Sequence, residues 1–212
     1  MDGDRSMQRE KQDEMIGKMK EVLQDDYVRL TLRKYTLTED LEEGTCEIQC
    51  TLGDADDSTI DVRGTGVGAI DAFFAGLRQR LADDYPSLKS IRFSSFEIQG
   101  LLSSDDGPRQ TAKAEAEATV GIENSEGKEF VFQSTAPSVA RAGLEATLEA
   151  AEYFVNSERT YVELHEILEH YRSEGRTDLV EKYTELMSEV VENTSYSEVV
   201  EEIRNSVDGG ED

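Results

Sequence analysis

The sequence predicts an α+β fold: two successive β-β-β-α modules in a pseudo-two-fold arrangement, with a helix before them and a helical hairpin after. Three observations carry that expectation. Short segments of alternating polar and apolar residues occur in two sets of three, each bounded by turn-forming residues. Each set hands over to a stretch whose apolar residues recur at three- and four-residue steps. The same order then repeats, so the chain reads as a duplicated unit that buries one face of each sheet under its own helix.

The elements follow in order. Residues 6–24 form a charged helix with Met7, Met15, Met19, Val22 and Leu23 as a thin apolar stripe. Strand-like segments span 27–37, 44–52 and 58–63. A helix over 69–82 presents Ile70, Phe73, Phe74, Leu77 and Leu81 on one side, and Asp83-Asp84-Tyr85-Pro86 closes it. The second module opens with a strand over 90–101 and a polar loop over 103–108. Residues 112–118 (Ala-Lys-Ala-Glu-Ala-Glu-Ala) have a helix-forming composition but a period of two. Val120 and Ile122 continue that alternation, so 111–123 reads as a strand. A turn at 124–127 joins it to a strand over 128–133, and a helix runs over 138–156. Beyond Asn156, Tyr161, Leu164, Ile167, Leu168 and Tyr171 mark an amphipathic helix, and a break at Gly175 precedes another with Leu179, Val180, Tyr183, Leu186, Met187, Val190 and Val191. A short third helix is expected over 197–204, ahead of a disordered tail. The resulting division is 1–26, an N-terminal helix; 27–156, the duplicated domain; 157–205, a helical extension; and 206–212, the tail.

Composition narrows the function. The 212 residues carry a net charge of −25, with −3 in residues 1–26, −11 in 27–156 and −11 in 157–212. A negative field spread over the whole chain opposes nucleic acid and anionic membranes as partners. With 8 Lys among 22 basic residues, the acidity fits either a salty cytoplasm or an ordinary solvated acidic surface. No apolar run approaches the ~20 residues that span a bilayer, and the start Met1-Asp2-Gly3-Asp4 lacks a signal pattern. A soluble, cytoplasmic protein is expected. Cys46 and Cys50 fall on one face of one strand, too far apart for a comfortable disulfide, and read as buried free thiols.

The run Gly66-Val67-Gly68-Ala69-Ile70-Asp71-Ala72 is the richest in chemistry. Glycines in a strand-to-helix turn permit close approach, and the helix start beyond offers unpaired N–H groups to a carboxylate. Gly64-Thr65-Gly66-Val67-Gly68 lacks the spacing of a dinucleotide fingerprint, and no Gly-Lys-Ser/Thr follows as a phosphate loop requires. His165 and His170 are five apart, about 140° around a helix, whereas a zinc-protease helix needs a spacing of four. They read as solvated helix residues. The chain offers no catalytic constellation, no metal site and no cofactor motif.

Element order and motif together resemble a known family. Residues 27–156 are similar to the C-terminal regulatory (dimerisation) domain of the alpha-isopropylmalate synthase and citramalate synthase family. Its first module ends in Gly-x-Gly-Pro-Val-Asp-Ala, which Gly66, Gly68, Ile70, Asp71 and Ala72 match in register, with Ala69 in place of Pro. Ile91-Arg92-Phe93-Ser94-Ser95-Phe96 is similar to the family's Val-x-Val-Leu-x-Tyr strand. Ala142-Gly143-Leu144-Glu145-Ala146-Thr147 and Ala151-Glu152-Tyr153 echo its second helix. The turn that carries glycine in the family's second module falls near Ser134-Thr135-Ala136 here, with Pro137 and Ser138 before the helix. The resemblance implies a non-catalytic module that pairs across a two-fold axis and binds leucine or isoleucine near the dimer interface. It also implies a link to branched-chain amino-acid biosynthesis and a synthase catalytic subunit as partner. The family's catalytic barrel needs about 250 residues, so a stand-alone regulatory domain is expected. Its ligand-binding residues would be Gly66 and Gly68, where the backbone admits the ligand, with Ile70, Phe93 and Phe96 as an apolar wall. The N–H groups near Asp71 would take the carboxylate, and Asp71 itself would cap the helix or meet the ammonium. The alternative from another class is a dimeric interaction module that no longer binds an amino acid.

Overall fold

The computed structural model describes residues 2–54, 58–102 and 114–194. Helix α1 (Asp2–Leu23) leads through a 3-10 turn (Gln24–Asp26) to strands β1 (Thr31–Asp40), β2 (Thr45–Gly53) and β3 (Thr59–Gly66), then to helix α2 (Ala69–Leu81). The second module follows a one-turn helix, α3 (Ser87–Ser90). It comprises β4 (Arg92–Leu102), β5 (Ala114–Glu123), β6 (Glu129–Ala136) and helix α4 (Val139–Ser173), and α5 (Thr177–Thr194) folds back on α4.

Each module is a three-stranded antiparallel sheet in simple order, β1-β2-β3 and β4-β5-β6. The middle strands set the pattern. Cys46, Ile48, Cys50 and Leu52 of β2, and Ala116, Ala118, Val120 and Ile122 of β5, alternate inward and are buried. The Ala-Lys-Ala-Glu stretch is therefore strand from Ala114 onward, because its period matches a half-buried sheet whose inner face needs small residues beneath α4. Phe73 and Leu77 of α2 and Leu144, Ala151 and Phe154 of α4 are fully buried between the layers. Both first strands carry an irregularity at the equivalent place, between Leu32 and Lys34 and between Phe93 and Ser95. The duplication thus extends to a detail of backbone register.

Several elements differ from the expectation. The first strand begins at Thr31 rather than 27, because Val28 and Leu30 direct their N–H groups to side chains of α4, at Asn156 Oδ1 (2.8 Å) and Glu152 Oε1 (2.6 Å). Residues 87–90, of which only Ser90 was expected in an element (the strand over 90–101), form α3. Strand β6 runs to Ala136 rather than 133. The helix expected to end at Asn156 runs on without a break to Ser173, 35 residues in all. The polar run Asn156-Ser157-Glu158 suggests a boundary, yet these residues are buried: Glu158 Oε2 accepts from the Ser87 N–H at 2.9 Å, and Thr160 Oγ1 donates to the Asn156 carbonyl at 2.7 Å. The break at Gly175 is where expected, with a left-handed φ of 69° that favours glycine. It turns α4 into α5, and Tyr171 stacks on Tyr183 across the hairpin at 5.6 Å. Met15, Met19 and Leu23 of α1 are buried, whereas Met7 is exposed. The expected helix over 197–204, the tail and the loop over 103–108 lie outside the described residues.

Helix α1 docks through an unusual contact. The Gln12 side chain, buried, accepts the Val131 N–H through Oε1 at 3.0 Å and donates through Nε2 to the Val131 carbonyl at 3.3 Å. An amide here takes the place of a fourth strand and covers the open edge of β6.

Candidate functional site

The Gly66–Ala72 run forms the β3-to-α2 turn. A Cβ on Gly66 would fall 2.4 Å from Asp71 Oδ2 and 2.6 Å from the Ala72 nitrogen, so a side chain there is excluded by the start of the helix itself. Gly68 is the N-cap, in extended conformation (φ −162°), and nothing lies within 4 Å of where its Cβ would be. Asp71 Oδ2, at the third helical position, accepts the Val67 N–H at 3.0 Å, one residue ahead of the Gly68 N-cap, and so ties the turn back onto the helix start. The first helical hydrogen bond is from the Ala72 N–H to the Gly68 carbonyl at 2.9 Å. The turn therefore combines a close strand-to-helix approach at Gly66 with open backbone at Gly68.

Two of the apolar candidates meet. A Cβ on Gly143, near the start of α4, would lie 2.6 Å from Ile70 Cδ1 and 3.2 Å from Phe96 Cζ. Gly143 thus lets the first module's helix start and the second module's edge strand converge on one spot. Sequence reasoning did not place Gly143 in this group, although it stands in the second-helix motif. Phe93 lies beside them, edge-on to Phe74 of α2 with ring centroids 4.8 Å apart. Residues three apart on a regular strand face opposite sides; the irregularity between Phe93 and Ser95 brings Phe93 and Phe96 to one face, opposite Ile122 and Val120. Phe96 and Ile98 share that inner face but are 45% and 39% exposed, although the start of α4 meets the Phe96 ring at Gly143. The six candidates are thus split between a turn (Gly66, Gly68, Asp71) and an apolar wall (Ile70, Phe93, Phe96) along the α2–β4 boundary.

The second module's turn is built differently. Ser138 is the N-cap of α4 and its Oγ accepts the Arg141 N–H at 3.2 Å. Arg141 stands where Asp71 stands in the first module, an unfavourable charge for a helix start, and pairs with Glu145 at 2.7 Å.

Other reactive groups are quiet. Cys46 and Cys50 are buried free thiols, and burial pushes Cys50 up to about 11, so neither is a nucleophile near neutral pH. His170 is exposed and lies 3.6 Å from Glu174; His165, by contrast, has a buried Nδ1 with no hydrogen-bond partner among the described residues. Among those residues no group of His, Cys, Asp or Glu converges as a metal site.

A cavity of about 380 Å³ lies apart from these residues, between α1, the segment leading into β1, β6 and α4. Glu149, Glu152 and Tyr153 contribute to its wall. Most of residues 144–155 of α4 are buried, but Glu145 and Glu152 are half-buried and Glu149 is exposed, and in the sequence they read as an ordinary polar helix face. Burial pushes Glu152 up to about 7 from an ordinary 4.5, opposed by the Leu30 N–H, Arg29 and Lys20 and reinforced by Glu149. A carboxyl raised on folding contributes stability below the unfolded value, and that contribution is lost as pH rises through the folded value. Glu152→Gln is therefore expected to raise unfolding free energy at pH 8, by on the order of 1 to 2 kcal/mol. The gain should disappear by pH 4. Denaturant melts across that range check it, and parallel curves for both proteins would contradict it.

The comparisons with known proteins bear on residues 11–155, which match the sequence model of the LeuA allosteric (dimerisation) domain, more than half of the chain. No curated protein matches the chain.

Proposed function

This chain belongs to the LeuA allosteric (dimerisation) domain family, and from that membership we propose that it is a non-catalytic regulatory module that pairs with a second copy and senses leucine or isoleucine. The apolar wall carries this reading. Phe96 and Ile98 lie on the inner face of β4, yet remain partly exposed in a single chain. In a protein of net charge −25, an uncovered aromatic face beside an open helix start is costly unless something covers it. A second copy supplies the cover, and an aliphatic side chain against Ile70, Phe93 and Phe96 supplies the ligand. Gly68 leaves the helix start free to receive the ligand's carboxylate, while Asp71 acts as the cap. The pathway served is branched-chain amino-acid biosynthesis, and the partner regulated is a synthase catalytic domain.

A second reading has its own support. The second turn, with Pro137 and the Ser138 hydroxyl on the Arg141 N–H, closes the helix start that is open in the first module. On that reading the fold dimerises without an effector, and the acidic hairpin of α4 and α5 docks a partner protein.

Light scattering and calorimetry separate the readings. The wild-type protein is expected to be a dimer at micromolar concentration, and Phe96→Asp to weaken the dimer by at least about a hundredfold, as expected of a buried charge at an interface core. A clean 23.7 kDa monomer in the wild type would overturn the pairing. Absence of heat and of thermal shift with leucine, isoleucine and valine at millimolar concentration would overturn effector sensing and leave the second reading.

A further inference from the structure

We infer that the open edge of β4 pairs antiparallel with β4 of a second copy, about a two-fold axis through Ile98, to make one six-stranded sheet across two chains. The inference rests on the pairing of two copies proposed above, and names the backbone edge and the register through which that pairing occurs.

The four sheet edges differ. An uncovered edge is a row of unused N–H and C=O groups, and folded proteins guard it with charges, irregularities or a covering element. Three of the edges are guarded in this way. Along β6, Gln12 of α1 takes both the N–H and the carbonyl of Val131, and Gln8 donates to the Glu129 carbonyl. Strand β3 carries Asp61 and Arg63, and α2 presses on its backbone at Gly64. Strand β1 carries Arg33, Lys34, Glu39 and Asp40.

The fourth edge is bare. From Ser95 to Leu102, β4 runs in unbroken register with β5, and no strand lies beyond it among the described residues. Glu97 is the single charged residue of that run. Residues 96–101 are exposed whichever face their side chains take, so this half of the strand projects from both layers. The first module shows the contrast. Tyr35 and Leu37 of β1, which correspond to Phe96 and Ile98 by their places after the irregularity, are half-buried.

The occupant follows from the strand itself, which is its own complement. An axis through a residue sets inner face against inner face, whereas an axis between residues sets Phe96 against Glu97 or Gln99 of the partner. An axis at Glu97 would bring two carboxylates face to face. One at Gln99 would set Glu97 against the partner's Leu101. At Ile98 every facing pair is compatible: Ile98 meets the partner's Ile98, Glu97 meets the partner's Gln99, and Phe96 meets the partner's Gly100. Nothing lies within 4 Å of a Cβ built on Gly100, so there is room there for a ring laid across the glycine. Each copy has one such edge, so the assembly closes at two chains. Its outermost strands are then the two β6 strands, each already covered by α1.

Charge exchange at position 98 tests the register. Ile98→Lys and Ile98→Glu should each weaken the dimer about a hundredfold in light scattering, because like charges then face one another at the axis. An equimolar mixture of the two should pair at least about tenfold more tightly than either alone. Cysteine variants give a second readout. Facing residues have Cα atoms about 5 Å apart, within disulfide reach, whereas diagonal ones are about 7–8 Å apart. Ile98→Cys should therefore cross-link two chains under mild oxidation about tenfold faster than Glu97→Cys, while Cys46 and Cys50 stay buried. A wild-type dimer whose charge variants are not rescued by mixing, or in which Glu97→Cys cross-links as fast as Ile98→Cys, would overturn the β4 edge and leave the pairing itself standing. A wild-type monomer would overturn both.

Discussion

Replacing Gly64 with valine is expected to lower the melting temperature by on the order of 10 °C, or to prevent folding, for a loss of about 3 kcal/mol or more. Gly64 sits in β3 opposite Ile48, under α2. A Cβ there would lie 1.9 Å from the Ala72 carbonyl oxygen and 2.6 Å from the Gly76 nitrogen. Both are backbone atoms, so no rotamer change relieves the clash; the helix must lift from the strand. Gly76 meets the strand from the other side, its own Cβ position 2.8 Å from Arg63 backbone atoms. Lifting α2 also draws Ile70 away from Gly143 and Phe96, so a surviving variant should lose dimer affinity along with stability. Gly68→Ala is the control. That position is extended and open, and a change of a few tenths of a kcal/mol is expected. Thermal melts of the two variants check the pair. Equal effects would mean that the glycines act through chain flexibility rather than close approach.

The duplicated architecture was legible because both modules write it in periodicity. The β2 and β5 alternations are clean, and Gly66 through Ala72 mark the turn into α2. What was not legible depends on partners distant in sequence. Nothing at Ser94 announces the extra residue that brings Phe93 and Phe96 to one face, since no glycine marks it. The run Asn156-Ser157-Glu158 reads as a boundary by composition, yet it is helix interior because Val28 and Ser87 supply partners 128 and 71 residues away. The cavity was hidden for the same reason. Glu149 and Glu152 look like an ordinary polar helix face until α1 and the 27–32 segment close over them. Turn chemistry placed Gly66, Gly68 and Asp71 locally, whereas Gly143 acquires its role only when two modules meet there.

Asn156 gives the second large effect. Its side chain is fully buried; Oδ1 accepts the Val28 N–H at 2.8 Å, and Nδ2 donates to the Val28 carbonyl at 2.8 Å and to the Glu152 carbonyl at 2.9 Å. Asn156→Ala leaves both Val28 groups without partners and opens a small void, a loss of about 2 to 4 kcal/mol in denaturant melts. Asn156→Asp retains the acceptor but loses the donor and introduces a buried charge one turn from Glu152. It should be worse than alanine at pH 8 and recover as pH falls, because protonation removes the charge and restores a donor. Asn156 and Glu152 pin adjacent points of one segment, at Val28 and Leu30, so their effects should not add. A double-mutant cycle with Glu152→Ala is expected to give a coupling above about 0.5 kcal/mol, and additivity within about 0.3 would show that the segment is held by its apolar residues instead.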